Sequence, residues 1–496
     1  SDNSTKVATT AYVDSQVGTV DTLAEVLAIG NTTGGTDLVV DSGDILDVNG
    51  TVDIDGFLDA NGTIKLDGNY PVGSQNLGMG DTALDSLDTA AYYNVAFGPR
   101  ALTTQTTGNS NTAVGQDAMR YNQTSSNNSA FGTNALGANT TGSNNVALGR
   151  SVLSSNLVGA ENTGAGYQAL QNNTASSNNA FGSNALRDNT SGTANAAFGS
   201  SALLDNETGS YNSAIGVSSL ENLVSGSSNV AVGFAAGLNL NTGSNNVAVG
   251  RQAMNKQTSA SGNTAFGHNA SYENLTGTGI AAFGYQALYA NTGANNTALG
   301  HQAGENISSG SSNTLVGIGT MGPNAAAVAT GSNNSGVGYF ALGKTEGGSN
   351  NAALGYQAGY NLTDGGNNAA IGYQALNQQT TGDNNIGIGY QAAYSNQTSS
   401  YVTAIGYQAG KSITAAGSLV IGFQAGFNIT TGQNVVIGRY RPAFSLVDGV
   451  QNTVIGNEAY YTGNGDYNTV VGEQALRNNA TGDNNTMVGY LTGYNY

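Results

Sequence analysis

The chain is expected to be all-β, a parallel β-solenoid of about 25 coils, and three observations carry that expectation. A repeat glycine recurs 25 times between Gly80 and Gly489, in 24 copies after a bulky apolar residue, and 16 of the 24 intervals have one length, that from Gly98 to Gly115. Only the step from Gly317 to Gly338 departs from that period by more than one residue. Within each unit no segment exceeds about five residues before a Gly, Asn or Thr-Gly interruption, so length and propensity exclude one helix per repeat. A unit this short cannot bury a core alone, and neighbouring units must stack into a quasi-one-dimensional array. At about 4.8 Å per coil, 25 coils make a rod on the order of 120 Å long.

Each unit reads N-x-A-φ-G-x-Q-A-L followed by about eight polar residues, and positions are counted here from the repeat glycine as zero. Position −1 is bulky and apolar in 24 of 25 copies, Ala165 being the exception, which makes Phe131, Ile215, Val249, Phe283, Ile371 and Val488 the expected core stripe. On that expectation, aspartate at Ile371 would bury an unpaired charge. Ala dominates positions −2 and +3, which implies close approach, either between the walls of a thin coil or between chains. Position +4 alternates between Leu, as in Leu136, Leu170, Leu288, Leu376 and Leu476, and Gly.

Position −4 is Asn in 22 of 25 copies, among them Asn111, Asn128, Asn145, Asn229, Asn246, Asn334, Asn351, Asn368 and Asn485. Stacked at one coil position, these amides form a ladder, each donating to one neighbour and accepting from the other, so that turn backbone groups are not orphaned. Position +1 carries Tyr339, Tyr356, Tyr373, Tyr390, Tyr407 and Phe423 in six successive coils. Rings one coil apart stack and stiffen a rod. Where exposed, they form a strip for sugar rings or for another protein, and this column is the candidate receptor or partner site.

Three zones divide the chain. Residues 1–30 carry Val13, Val17, Val20, Ala24 and Leu27 at alternating four- and three-residue spacing, as in a coiled-coil seam. They suit a short helical attachment or oligomerisation segment, or one amphipathic helix on a neighbouring domain. Residues 31–70 include four hexapeptides ending at Gly50, Gly56, Gly62 and Gly68, the pattern of an acidic triangular β-helix wound by one chain or shared by three. Residues 71–496 are the 17-residue-repeat shaft.

Composition narrows the function. The net charge is −18 with only 13 Lys plus Arg, which disfavours nucleic acid and anionic membrane surfaces, since both need a basic footprint. No run of about 18 apolar residues is present, so no membrane insertion is expected. There is no cysteine for a disulfide or a thiolate metal site. The sequence Asp53 to Gly56 begins like a calcium loop but lacks the acidic residue at loop position twelve. His268 and His301 both occupy +1, two coils apart, with no shared carboxylate. Gly317, Gly319 and Gly322 spell a dinucleotide fingerprint inside the repeat, with no βαβ pattern around it. No catalytic residues, metal site or cofactor are expected, and the chain is read as non-enzymatic.

The motif N-N-V-A-V-G-R-Q-A at Asn245 to Ala253, with its relatives N-N-V-A-L-G and N-T-A-F-G, resembles the head repeats of trimeric autotransporter adhesins. The likeness extends over the whole repeat shaft, although the unit here is longer and no membrane-anchor segment or long stalk follows. It implies a parallel β-roll assembled as a homotrimer. S-T-K-V-A-T-T-A-Y-V-D-S-Q-V at Ser4 to Val17 and L-A-E-V-L-A-I-G-N-T-T-G-G-T-D-L at Leu23 to Leu38 resemble segments of tail-fibre proteins of tailed bacteriophages, notably marine ones. Together the resemblances imply a virion tail fibre, extracellular, joined through its N-terminal region to other tail or baseplate proteins and directed at a host surface glycan or protein. The competing expectation is an adhesin or filament subunit of a bacterial surface.

Overall fold

The computed structural model describes residues 75–495 apart from 89, 323–326 and 480. The chain divides into two units, Ser1–Lys65 and Leu66–Tyr496, and only the second contains described residues. The helical segment expected at 1–30 and the hexapeptide β-helix expected at 31–70 lie outside the described residues, as does the start of the shaft.

The shaft is a parallel β-solenoid with one repeat per coil, so that bonded equivalents such as Asn128 and Asn111 stand 17 apart in the chain. Among the described residues there are 25 strands and no helix, from β1 (Leu77–Met79) to β25 (Thr486–Val488). Most strands are three residues long and end just before a repeat glycine. Each pairs in parallel with the strands one coil before and after. Thus Ala370 in β18 (Ala369–Ile371) lies between Ala353 of β17 (Ala352–Leu354) and Gly387 of β19 (Ile386–Ile388), and Ile371 lies between Leu354 and Ile388. The coil-to-coil bonding continues around the turns: Gln374 N–H donates to Tyr356 O at 2.9 Å, Leu376 N–H to Ala392 O at 3.0 Å and Asn384 N–H to Gly366 O at 3.0 Å. Backbone groups outside the short strands therefore have partners as well.

Tight corners produce this shape. Gly372 has φ +129°, and Gln374, Leu376 and Asn384 have φ +54°, +50° and +59°. The same positions, 0, +2, +4 and −5, are left-handed in coil after coil. For a residue with a Cβ this costs roughly 1–2 kcal/mol. Asn tolerates the conformation best, which accounts for its frequency at −5.

The core differs from the sequence expectation. Position −1 is buried in no coil: Ile371 is 38%, Phe131 42%, Ile215 48%, Phe283 39% and Val488 65% accessible, and Val249 is half-buried. Position −2 is buried instead, with Ala130, Ala214, Ala282 and Ala370 at 0–2%. The reason is coil thickness. In a three-residue strand only the middle side chain points inward. The opposite wall, built from Ala at +3 and Leu at +4, comes so close that a methyl group fills the gap; Ala375 and Leu376 are at most 1% accessible.

The alternation of Leu and Gly at +4 also has a packing cause. Where +4 is Leu, position +7 is usually a buried Asn, as in Leu136 with Asn139 and Leu203 with Asn206. Where +4 is Gly, position +7 is Leu or Ile: Gly237 with Leu240, Gly304 with Ile307, Gly359 with Leu362, Gly410 with Ile413 and Gly426 with Ile429. In most coils the two positions share one volume, whereas Leu84 with Leu87 and Leu220 with Leu223 are buried leucines at both. A Cβ on Gly304 would lie 2.7 Å from Leu288 Cδ2 and 3.1 Å from Ile307 Cδ1. Tyr460 with Gly463 is a third solution, its ring filling both places. At Gly359 and Leu362, exchange is therefore expected to be tolerated best when both residues change. Gly359→Leu alone overpacks against Leu342 and should cost about 1–3 kcal/mol, and Leu362→Asn alone leaves a cavity costing about 2–5 kcal/mol. The double variant supplies a partner for the Thr345 hydroxyl, buried with none, and should lie within about 1.5 kcal/mol of the parent. A double-mutant cycle from thermal unfolding checks this, and additive losses would refute the shared volume.

Candidate functional site: an outward apolar face with an aromatic ladder

Positions −3 and −1 point outward along every coil, on either side of the buried −2 residue. At β21 (Leu419–Phe423) the strand continues into the glycine corner, and Phe423 at +1 is exposed just beyond it. The −1 column is Val, Ile, Leu, Phe or Met in all coils but one, and from Ile371 it is isoleucine six times running, through Ile388, Ile405, Ile421, Ile437 and Ile455. The −3 column is mixed, Ser, Thr or Asn in 13 of 25 coils, so the continuous apolar stripe is −1; the two columns, about 7 Å apart over 25 strands at about 4.8 Å, make with the margins of their side chains a face on the order of 1,000 Å². Soluble monomers rarely expose a contiguous apolar patch above a few hundred Å².

The six aromatic residues at +1 form one stack. Ring centroids from Tyr339 to Tyr356, Tyr373, Tyr390, Tyr407 and Phe423 are 5.0–5.4 Å apart and within 9° of parallel. A seventh ring, Tyr440, continues it at 5.4 Å, a member the sequence count misses because it lies at +2. A bulge in β22 (Val435–Tyr440) inserts Arg439, so that Tyr440 pairs with Phe423. The stack ends beside the Arg441 guanidinium, 5.0 Å from the Tyr440 centroid, and beside Phe340, whose ring is perpendicular to Tyr339 with centroids 4.4 Å apart. The ring faces are thus used up by one another, and what the strip offers outward is edges and hydroxyls. A sugar ring or another protein meeting this column would meet those edges and hydroxyls. Beside it runs a glutamine ladder at +2, in which Gln374, Gln391, Gln408 and Gln424 each donate to the preceding Gln at 2.8–3.1 Å. The two histidines flank Tyr285, with centroids 5.4 Å from His268 and 5.0 Å from His301.

The asparagines at −4 line the interior. Asn128 Oδ1 accepts from Asn145 N–H at 2.8 Å, and its Nδ2 donates to Gly142 O at 3.0 Å. The same pair of bonds recurs where Asn111 accepts from Asn128, Asn229 from Asn246, Asn334 from Asn351 and Asn351 from Asn368, all at 2.9–3.0 Å. Asn485 donates its N–H and Nδ2 to Asn468 Oδ1 at 2.9 and 3.0 Å. Two further ladders escaped the sequence reading. At +7, Asn139 donates to Asn122 at 2.7 Å and Asn206 to Asn189 at 2.8 Å, ending where Leu223 follows and leaving Asn206 Oδ1 without a donor. At +11, serine hydroxyls accept from the preceding coil, as Ser227 Oγ does from Ser210 N–H at 3.1 Å. The recurrent Asn at +7 and Ser at +11 were the available signals.

Charge is sparse on this rod. Of the 11 Lys and Arg among the described residues, seven lie over aromatic rings, for example Lys411 over Phe427 and Arg477 between Tyr461 and Tyr494. Few cations are left to meet an anionic partner. Among the described residues no cluster of His, Cys, Asp or Glu could hold a metal ion. Gly317, Gly319 and Gly322 follow strand Thr314–Val316 into a solenoid turn and open no helix, so the dinucleotide fingerprint has no context.

Tyr460 is the one fully buried tyrosine among the described residues, its hydroxyl accepting from Gly465 N–H at 2.7 Å and from Asn468 Nδ2 at 2.9 Å. Burial pushes its pKa up to about 12. Between pH 10 and 12 the unfolded chain has released this proton while the folded chain retains it, so stability is full below pH 10 and falls as pH rises toward 12. Tyr460→Phe should be less stable at neutral pH, having lost the acceptor. It should also show a shallower decline above pH 10, by roughly 1.4 kcal/mol per pH unit. Unfolding midpoints of both proteins across that range test it, and parallel slopes would refute the assignment.

Compared with models of known protein families, with curated proteins and with solved structures, the chain matches none.

Proposed function

We propose that this chain is the shaft of a homotrimeric phage tail fibre, a non-enzymatic structural protein that holds a receptor-binding end toward a host surface glycan or protein. The observation that carries the reading is the outward apolar column at −1. A surface on the order of 1,000 Å² exceeds the roughly 800 Å² that each partner contributes to a standard interface. Three copies turning this face to a common axis would cover it along the whole rod. A closed threefold arrangement keeps the chains parallel, as a shaft requires. The resemblance of Ser4 to Val17 and Leu23 to Leu38 to phage tail-fibre segments supplies the setting. It also supplies the expected partners of the N-terminal region, other tail or baseplate proteins, and the location, the virion outside the cell.

Native mass measurement of the purified chain should give three times 49.8 kDa. Antibody against the shaft should decorate tail fibres of the particle by electron microscopy and block adsorption. A stable folded monomer, or particles without label, would overturn the proposal.

A further inference from the structure

We propose that the tyrosine row from Tyr339 to Tyr407 is a lateral binding strip for an extended, uncharged polysaccharide of equatorially linked pyranoses, laid along the rod with one sugar to each coil. The row lies beyond the glycine corner, where Gly372 has φ +129°, and so off the apolar −1 face. It stays open whether or not other copies cover that face, and the strip is therefore independent of the trimer proposed above.

Spacing, hydrogen-bonding capacity and charge select this ligand. The row has one rung per coil, with ring centroids 5.0–5.4 Å apart and planes within 9° of parallel. In an extended chain of equatorially linked pyranoses each sugar advances by nearly that distance and presents a hydroxyl on each edge of the ribbon. Such a chain meets one tyrosine per sugar without losing step, whereas axially linked chains curl away from a straight row. The five tyrosines are 40–45% accessible, and unlike that of Tyr460 their hydroxyls have no partner among the described residues. A phenol donates and accepts, as a sugar hydroxyl does. Beside them Gln374, Gln391, Gln408 and Gln424 each give one amide N–H to the preceding Gln and keep the other. From the coil of Gly338 to that of Gly422, positions −1, +1 and +2 hold no charged residue, and the net charge of −18 repels polyanions. Stacking fixes every ring before a ligand arrives, so little side-chain freedom is lost on binding. The run of hydroxyls stops at Phe423, which keeps the stack without one, and Tyr440 resumes it. Five sugars are therefore the length the row accommodates.

Ligand-observed NMR titration of the full chain with cello-oligosaccharides of two to seven sugars tests the strip, with malto-oligosaccharides, the same glucose axially linked, as the control. Affinity for the cello series should rise about tenfold from two sugars to five, as rungs are added, and then level off. Malto-oligosaccharides of equal length should bind about tenfold more weakly than the five-sugar cello chain. Changing Tyr356, Tyr373, Tyr390 and Tyr407 together to Phe keeps the stack, as Phe423 already does. That variant should give the parental circular dichroism spectrum and lose about tenfold in affinity for the five-sugar chain. Phe423→Tyr joins the five hydroxyls to that of Tyr440, so it should move the plateau to seven sugars and tighten the seven-sugar chain about threefold. No binding of any cello-oligosaccharide, the outcome expected if the row serves a protein partner, overturns the proposal. Equal affinity for the two linkages, an unchanged affinity in the folded fourfold variant, or a plateau still at five sugars in Phe423→Tyr overturns it as well.

Discussion

Ala370→Asp is expected to prevent the rod from folding through its middle, whereas Ile371→Asp, one residue along, should leave each chain folded and keep copies apart. Ala370 is 2% accessible, and a carboxylate there would enter a core one methyl group deep with no partner, a cost of several kcal/mol. Ile371 is 38% accessible, and an aspartate in its place is solvated in the single chain. In the proposed trimer the same aspartate would be buried in every copy. Circular dichroism should therefore report lost β-structure for the first variant and parental β-structure for the second. Native mass should report a monomer for Ile371→Asp. Loss of β-structure in both would mean that position −1 packs within its own chain.

Gly372→Ala should cost about 3 kcal/mol or more, among the largest effects available from adding one methyl group to this chain. A Cβ at Gly372 would lie 2.5 Å from Gly389 O and 2.8 Å from Gly389 C, backbone atoms fixed by the next coil, and φ there is +129°. Gly347→Ala serves as the control. Its Cβ would meet only the Asp364 carboxylate, at 2.7 Å, and that side chain can swing away. Because contacts run only between adjacent coils, the damage should be local. Limited proteolysis should cut the Gly372→Ala rod near that coil and leave the Gly347→Ala rod intact. Equal melting temperatures for the two would show that the corner can open without loss.

Much of this architecture is legible in the sequence, because a repeat of fixed length forces equivalent residues into columns. The period locates the strands, each ending before a glycine. It puts the −4 asparagines in one row, where their amides bond from coil to coil. It also aligns the +1 aromatic residues, whose parallel planes follow from a rise per coil close to a ring-stacking distance.

Which side of the strand faces inward was not legible. N-x-A-φ-G offers a small and a bulky apolar residue on opposite faces, and hydrophobicity favours the bulky one as core. The tertiary structure reverses the choice. Left-handed turns at +2, +4 and −5 bring the opposing wall within reach of a methyl group, so alanine is enclosed and Ile371 and its equivalents are left outside. The seventh ring, Tyr440, depends on a bulge that no periodic count could place. The pairing of +4 with +7 was present in the letters but had no meaning until the fold showed the two positions sharing one volume. The sequence by itself determined the columns, since spacing alone decides which residues align. Only the tertiary structure decided which columns are core and which are surface, because that depends on the distance between walls, set by backbone dihedral angles that composition does not reveal.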